Sequence, residues 1–338
     1  MQTLKYRSDR PNRRTTLADV ARAAGVSIAT VSRVLNNKTN IPIAPATIRK
    51  IREAATRLEY HPNLIARALA TQRTSTIALF TKEMVDPHFV QMIQPVEAAL
   101  RKRGYHLALC SETAGVLAEG RVDGAILLAN PNAREDLFKG LSLPVIYVWG
   151  GPGPCPGCVS WDDAEGMAMA VRYLVNLGHR RIAGLFGDYP DNGSRSPKVE
   201  GYRRAISQAG YEPNDWFGCF TDDQFENGYL ITRQRLAGRR DWTAIVARND
   251  YLALGALRAL REAGVSVPEQ VSVVGYNDTE MARFADPPLT SVLTPIAEAG
   301  ALAAIHLVDS IENRRTSVQG MGLPMTITER MSCAIAER

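Results

Sequence analysis

The chain has 338 residues, of which 45% are hydrophobic and 22% charged, and at roughly 100–200 residues per domain this is enough for two or three folded units. No apolar run approaches the ~18–20 residues of a membrane span. The polar, basic opening MQTLKYRSDRPNRR carries no apolar stretch behind it, so a cytoplasmic protein without signal, lipid anchor or membrane partner is expected. The charge is uneven. Residues 1–70 hold 13 of the 40 Lys+Arg and 4 of the 35 Asp+Glu, leaving 27 against 31 for the rest, so a module of net +9 precedes a body of net −4. Phosphate neutralisation by Lys and Arg makes such a module a plausible footprint for nucleic acid, although a solvated basic face is the plainer reading of charge alone.

In chain order, residues 1–14 are expected to be a basic flexible tail. TTLADVARAAGVSIATVSRVLNN, from Thr15, then places Leu17, Val20, Ala21 and Ala24 on one helical stripe and Ile28, Val31, Val34 and Leu35 on a second. Gly25 suits the tight corner between them, and Ser27 suits the N-cap of the second helix. This is the pattern of a helix-turn-helix, whose second helix offers its N-terminal residues to base edges in the major groove. A third helix over about Pro45–Leu58 buries Ile48, Ile51, Ala55 and Leu58, and Pro62 in EYHPN cannot continue it. Three short helices suffice for one small core.

The blocks ADVARAAGVS, TVSRVLN, LEYHPN and IARALA, between Thr15 and Ala70, resemble the DNA-binding headpiece and hinge of the LacI/GalR family. The resemblance implies a DNA-binding domain over 15–62 and a hinge over 63–73 that becomes helical over operator DNA. It implies DNA contacts by Thr16, Leu17, Ser27, Ile28, Ala29, Thr30, Ser32, Arg33, Asn36, Asn63 and Ala66. Ile28 and Ala29 match the base-reading pair, and Leu69 the wedge that unstacks a minor-groove step. Between Asn36 and Thr47 the chain is about two residues longer than the usual pattern of this family.

Beyond Ser75, short apolar runs (TIALF, HLALC, VDGAILL, LPVIYVW, TAIVA, VSVVGYN) alternate with helical patterns such as YLALGALRALREAG. This alternation predicts parallel sheets. The turn-rich break at Gly150–Gly157 separates two sets of such units, and two lobes with a cleft between them are expected. VDGAILL, YLVNLGHRRIA, the NDYLALGALRALREAGVSVPEQVSVVGYND run, PPLTSV and ITERMS again resemble the LacI/GalR family, here its effector-binding core. The implied fold is α/β: a helix-turn-helix headpiece and hinge helix joined to a periplasmic-binding-protein-like body of two doubly wound parallel sheets. The body spans 74–338, with a first lobe of about 74–159 plus 293–322 and a second of about 160–292 plus 323–338.

Matching motif by motif, the resemblance points to His88, Phe89, Asp162, Arg195, Lys198, Phe220, Phe225, Asn249, Asp250 and Asn277 as effector-binding residues. Plainer readings stand beside these: Asp250 as a helix cap, Phe220 or Phe225 as core, His179 as a turn residue and Asp86 as a cap. Lys198 stands where the family usually has arginine, and Asn277 where it usually has aspartate. A point charge thus replaces a fork, and a carboxylate that would repel an anion is gone. A sugar or sugar acid is the expected effector. Only SETAGVLAEGR separates HLALC from VDGAILL, which is short for a parallel crossover, so the helix there is expected to shrink to about a turn.

The expected function is a transcription regulator, a repressor that binds a palindromic double-stranded operator as a homodimer and answers to a small effector. The alternatives are a transport-type sugar-binding protein and an enzyme with an appended DNA-binding module. No GxxxxGK[ST], GxSxG or HExxH occurs, so no catalytic residue, metal or cofactor is expected. The five cysteines (110, 155, 158, 219, 333) include one CxxC but no second pair, and free structural thiols are expected.

Overall fold

The computed structural model describes residues 15–35, 42–60, 73–81, 87–110, 121–129, 143–151, 155–187, 196–238, 241–313 and 320–336. The chain divides into two compact units, Met1–Thr74 and Ser75–Arg338.

In the first unit, α1 (Leu17–Ala24), α2 (Ile28–Leu35) and α3 (Pro45–Arg57) enclose a core of Val20, Ala21, Ala24, Val31, Val34, Ile51, Ala54 and Ala55. Thr16 and Asp19 form a reciprocal capping box at the start of α1. Gly25 closes that helix with φ +66°, a conformation that glycine reaches without the Cβ penalty. The Ser27 hydroxyl accepts from the Thr30 N–H at 3.1 Å. Three caps and one apolar stripe per helix therefore fix this unit locally.

The second unit contains two six-stranded sheets. The first is built from β1 (Thr76–Phe80), β2 (His106–Cys110), β3 (Gly124–Leu128), β4 (Val145–Gly150), β5 (Cys158–Trp161) and a short strand Met321–Gly322, in the order Met321–Gly322, β5, β4, β3, β1, β2, all parallel. Helix α4 (Pro87–Lys102) packs on it through Met92, Val96 and Leu100.

Helix α5 (Asp163–Asn176) leads into the second sheet, made of β6 (Ile182–Gly187), β7 (Asn214–Phe217), β8 (Ala244–Ala247), β9 (Ser272–Asn277), β10 (Thr290–Leu293) and the antiparallel edge Thr326–Thr328. It is interleaved with α6 (Pro197–Gln208), α7 (Gln224–Leu236), α8 (Asp250–Glu262) and α9 (Glu280–Phe284). Helix α10 (Ile296–Asn313) returns to the first sheet and packs on α4. We label Met321–Gly322 β11 and Thr326–Thr328 β12. The chain thus crosses between lobes after Trp161, after Leu293 and after Gly322. All three crossings leave strand C-terminal ends, the pole at which open parallel sheets hold their ligands.

Two further findings concern the cysteines and the shortened crossover. Cys155 and Cys158 are joined by a disulfide, with Cα atoms 5.3 Å apart, so the expectation of free thiols is corrected for this pair. The tight turn before β5 brings the two side chains within bonding geometry. Cys110, Cys219 and Cys333 are free thiols. The shortened crossover, the longer loop after Asn36 and Asp86 lie outside the described residues.

Candidate functional site

Two surfaces gather the expected residues, one on each unit. On α2, Val31 and Val34 face the core, while Ser27, Ile28, Ala29 and Arg33 are exposed and Thr30 and Ser32 half-buried. Ile28 is 52% exposed, which leaves its aliphatic side chain at the start of the helix accessible to a partner. Thr16 caps α1, and Leu17 is drawn into the small core. Arg22, Arg49, Lys50, Arg52 and Arg57 add exposed cations. The expected contacts Asn36, Asn63, Ala66 and Leu69 lie outside the described residues.

In the body, Lys198, in the first turn of α6, places its Nζ 3.9 Å from the centroid of the Tyr276 ring and donates to the Arg248 carbonyl at 3.3 Å. His88, in the first turn of α4, stands edge-on to Trp161, with ring centroids 6.5 Å apart. Burial, and then the Lys198 cation, lower the His88 pKa to about 3, so the imidazole is neutral near pH 7. Asn249 caps α8 by accepting from the Leu252 N–H at 3.0 Å and donates to the Gln224 side chain, which Arg248 also approaches. Asp162 caps α5 by accepting from the Glu165 N–H at 3.0 Å. Asn277 ends β9 with φ +96° and is buried.

His88, Asp162, Lys198, Asn249 and Asn277 therefore lie at strand C-terminal ends or in the helix turns that follow them. Three other expected effector residues do not join them. Phe89 is 1% exposed and belongs to the first-lobe core, because the stripe of α4 turns it inward with Met92 and Val96. Phe225 packs on Tyr251 at 4.9 Å, on the α7/α8 side of a groove shared with Tyr229 and Leu254.

Asp250 is fully buried: its carboxylate accepts from the Thr279 N–H and hydroxyl and from the Ser291 hydroxyl, at 2.6, 2.9 and 2.6 Å. Burial nonetheless raises its pKa to about 6. The cap of α8 is Asn249, so Asp250 is neither cap nor cleft ligand. Phe220 is 53% exposed on the loop after β7. Arg195 lies outside the described residues.

His179 stands in the turn after α5, but its ring is buried and bonds to Thr243, Ser272 and the Ala334 carbonyl. It anchors the C-terminal segment and faces no cleft.

Sequence reasoning missed Trp161, Asp163, Gln224, Arg248 and Tyr276. The Trp161 indole and the Tyr276 hydroxyl both donate to the Asp163 carboxylate, at 2.8 and 2.9 Å. Burial, and then Asp163, hold the Tyr276 phenol well above its ordinary pKa. Alternation along β9 offered a clue, since it sends Tyr276 and Asn277 to opposite sides.

Comparison with known proteins agrees with this geometry. Residues 16–63 match the family described as bacterial regulatory proteins, lacI family, and residues 171–333 match the periplasmic binding protein-like domain. The HTH-type transcriptional regulator CelR of Thermobifida fusca is 35% identical over 324 residues, covering 90% of this chain and 94% of that protein. The ribose operon repressor of Escherichia coli is 32% identical over 330 residues, covering 94% and 99%. Among solved structures, a lac repressor dimer bound to operator and an anti-inducer aligns with TM-score 0.82 at 25% identity, over 95% of this chain and 100% of that one. A CelR–cellobiose complex aligns with TM-score 0.65 at 33% identity, over 94% and 100%. Among the described residues no helix is long and apolar enough to cross a membrane. With a lacI-type helix-turn-helix ahead of a two-lobed binding body, and relatives that are regulators along nearly their whole length, the chain belongs to the LacI family of bacterial transcription regulators and is not an enzyme.

Proposed function

We propose that the protein is a cytoplasmic repressor that binds a palindromic operator as a homodimer and is controlled by a carbohydrate effector with an acidic group. The observation that carries the DNA reading is the exposed start of α2. Ile28, Ala29 and Arg33 point outward from a helix whose other face is locked in the core, the arrangement of a recognition helix. Arg33 offers a fork for guanine, and Ile28 apolar contact for a thymine methyl. Asn63, Ala66 and Leu69 would add the minor-groove contacts that the family resemblance implies.

The acidic effector is argued from a shortage of available carboxylates. Asp163 is taken by Trp161 and Tyr276, Asp250 by Thr279 and Ser291, and Asp278 by Arg330 and Thr328. Lys198 and Arg248 supply positive charge at the same strand ends, and Asn277 brings none of either sign. Among the described residues at these strand ends the remaining carboxylate is Asp162, which accepts from the Glu165 N–H as the cap of α5, so an anion meets two cations against one partly engaged acid. The relatives named for ribose and cellobiose support a sugar-like body for the ligand.

A homodimer is supported by a groove of about 790 Å³ between α4 and α9, lined by Val90, Ile93, Met281 and Phe284. Phe284 is 72% exposed there, and a two-fold protein reads a two-fold site.

Selection of duplexes from a random pool tests the DNA reading. An inverted repeat bound by two chains is expected, with Arg33→Ala relaxing the preference at one base pair per half-site; absence of any enriched repeat overturns it. A thermal-shift panel of neutral sugars, sugar acids and sugar phosphates tests the effector, since a ligand at 100 times its Kd adds about 2.7 kcal/mol. Stabilisation by neutral sugars alone overturns the acidic group.

A further inference from the structure

Two of the three interlobe crossings meet on one hydroxyl. Asp163, immediately after the first crossing, accepts from the Tyr276 hydroxyl at 2.9 Å, and the same hydroxyl lies 3.4 Å from the sulfur of Met325, which sits in the crossing between β11 and β12. The Asp163 carboxylate also accepts from Trp161, the last residue of the first sheet, at 2.8 Å. On its other side it lies against Gly150 at the end of β4, where an added Cβ would come within 2.1 Å of Oδ2. Gly166 is equally constrained, since its Cβ would stand 2.5 Å from the Tyr276 hydroxyl and 2.7 Å from Met325. It is thus the Asp163 carboxylate that touches both lobes, Trp161 and Gly150 of the first and Tyr276 of the second, and Tyr276 itself is fully buried.

We propose that the Tyr276 hydroxyl and the Asp163 carboxylate form the lock that fixes the angle between the two lobes, Tyr276 acting as a positioning residue that touches no DNA. Rotation of the lobes must twist the crossings, and the Asp163 carboxylate, bonded to Trp161 of the first sheet and to Tyr276 of the second, ties the two sheets together beside two of them. An ordinary core hydroxyl does not have this placement. Tyr202, for example, donates to the Ile182 carbonyl and accepts from the Asn214 N–H, both within the second lobe. Lys198 rests on the Tyr276 ring, so a ligand that draws the ammonium away acts directly on the residue holding the crossings. That regulatory consequence rests on the effector reading above, whereas the lock itself does not.

The test needs neither effector nor operator. Spin labels attached through genetically encoded ketone side chains at Lys102 in α4 and Gln234 in α7, both exposed, report the interlobe distance with all cysteines in place. Labelled protein is diluted into unlabelled protein so that distances within one chain dominate. Pulsed dipolar measurement on the full chain is expected to give one narrow distribution. Tyr276→Phe and Asp163→Ala are expected to shift it or broaden it by at least half its width, while Tyr202→Phe leaves it narrow despite losing two hydrogen bonds. A folded Tyr276→Phe protein with the unmodified distribution overturns the proposal, as does equal broadening in Tyr202→Phe. Should Tyr276→Phe fail to fold, Asp163→Ala decides by the same criterion.

Discussion

The Lys198 ammonium lies 3.9 Å from the centroid of the Tyr276 ring and donates to the Arg248 carbonyl, so one cation is held between an aromatic face and a main-chain acceptor at the end of the second sheet. Both of these partners are neutral groups, so neither cancels the charge of the ammonium. If an anion binds there, Lys198→Met should weaken gluconate, a simple sugar acid, at least tenfold in calorimetric titration. Binding of the corresponding neutral sugar should change less than threefold. Lys198→Arg should retain most of the gluconate affinity, because charge rather than the fork is the requirement. Equal losses for acid and neutral sugar would contradict the argument.

Asp250 ties three elements through one carboxylate. Its pKa in the folded protein is raised from 3.8 to about 6 by burial, against the opposing pull of Ser291 and Thr279. A carboxyl that protonates more readily when folded adds stability below pH 3.8 and loses it as pH rises through about 6. Asp250→Asn sets an amide N–H against the Thr279 donors and should cost about 1–3 kcal/mol at pH 7. Urea unfolding at pH 7, 6, 5 and 4 should show the gap between wild type and variant widening as the pH falls.

The opposite sign is expected for His179, whose folded pKa is lowered, chiefly by burial, from 6.5. Its contribution is complete above pH 6.5 and is lost as the pH falls, since the unfolded imidazole takes up the proton first. His179→Gln should shrink the acid sensitivity of unfolding between pH 7 and 5. It should also loosen the C-terminal segment, whose Ala334 and Ser332 bond to the same sheet. Amide hydrogen exchange over residues 330–336 reads that loosening directly.

Glycine substitutions should separate steric from backbone cost. At Gly228 an added Cβ would lie 2.2 Å from the Leu252 carbonyl, and at Gly255 one would lie 2.1 Å from the Phe225 carbonyl. Either change to alanine must push α7 and α8 apart, and a loss of about 3 kcal/mol or more is expected, at the upper end of overpacking costs. Gly210 has φ +79° but open space around it, so Gly210→Ala should cost only about 1–2 kcal/mol of left-handed strain. Thermal melts of the three variants give the ranking.

Much of the organisation was legible in the residues. The stripes Val20, Ala21, Ala24 and Val31, Val34 specify the first two helices because helical periodicity is local, and Gly25 and Ser27 punctuate them by conformational preferences of their own. Runs such as TIALF and VSVVGYN became buried strands because a sheet covered on both faces needs uninterrupted apolar residues. By contrast, β11 and β12 have only two and three residues. Strands that short carry no period, and their pairing partners decide them.

What the sequence by itself determined is therefore the helix-turn-helix, the two-lobed α/β plan and the charge division between module and body. Each of these rests on near neighbours or on composition. Only the tertiary structure decided that Phe89 and Asp250 turn inward, that Phe225 faces a groove on α7 and α8, and that Trp161, Asp163 and Tyr276 share one carboxylate. Tyr276 and Asp163 are separated by 113 residues. Nothing in the pattern around either residue encodes the other, because their meeting depends on the complete second sheet bringing the end of β9 to the start of α5.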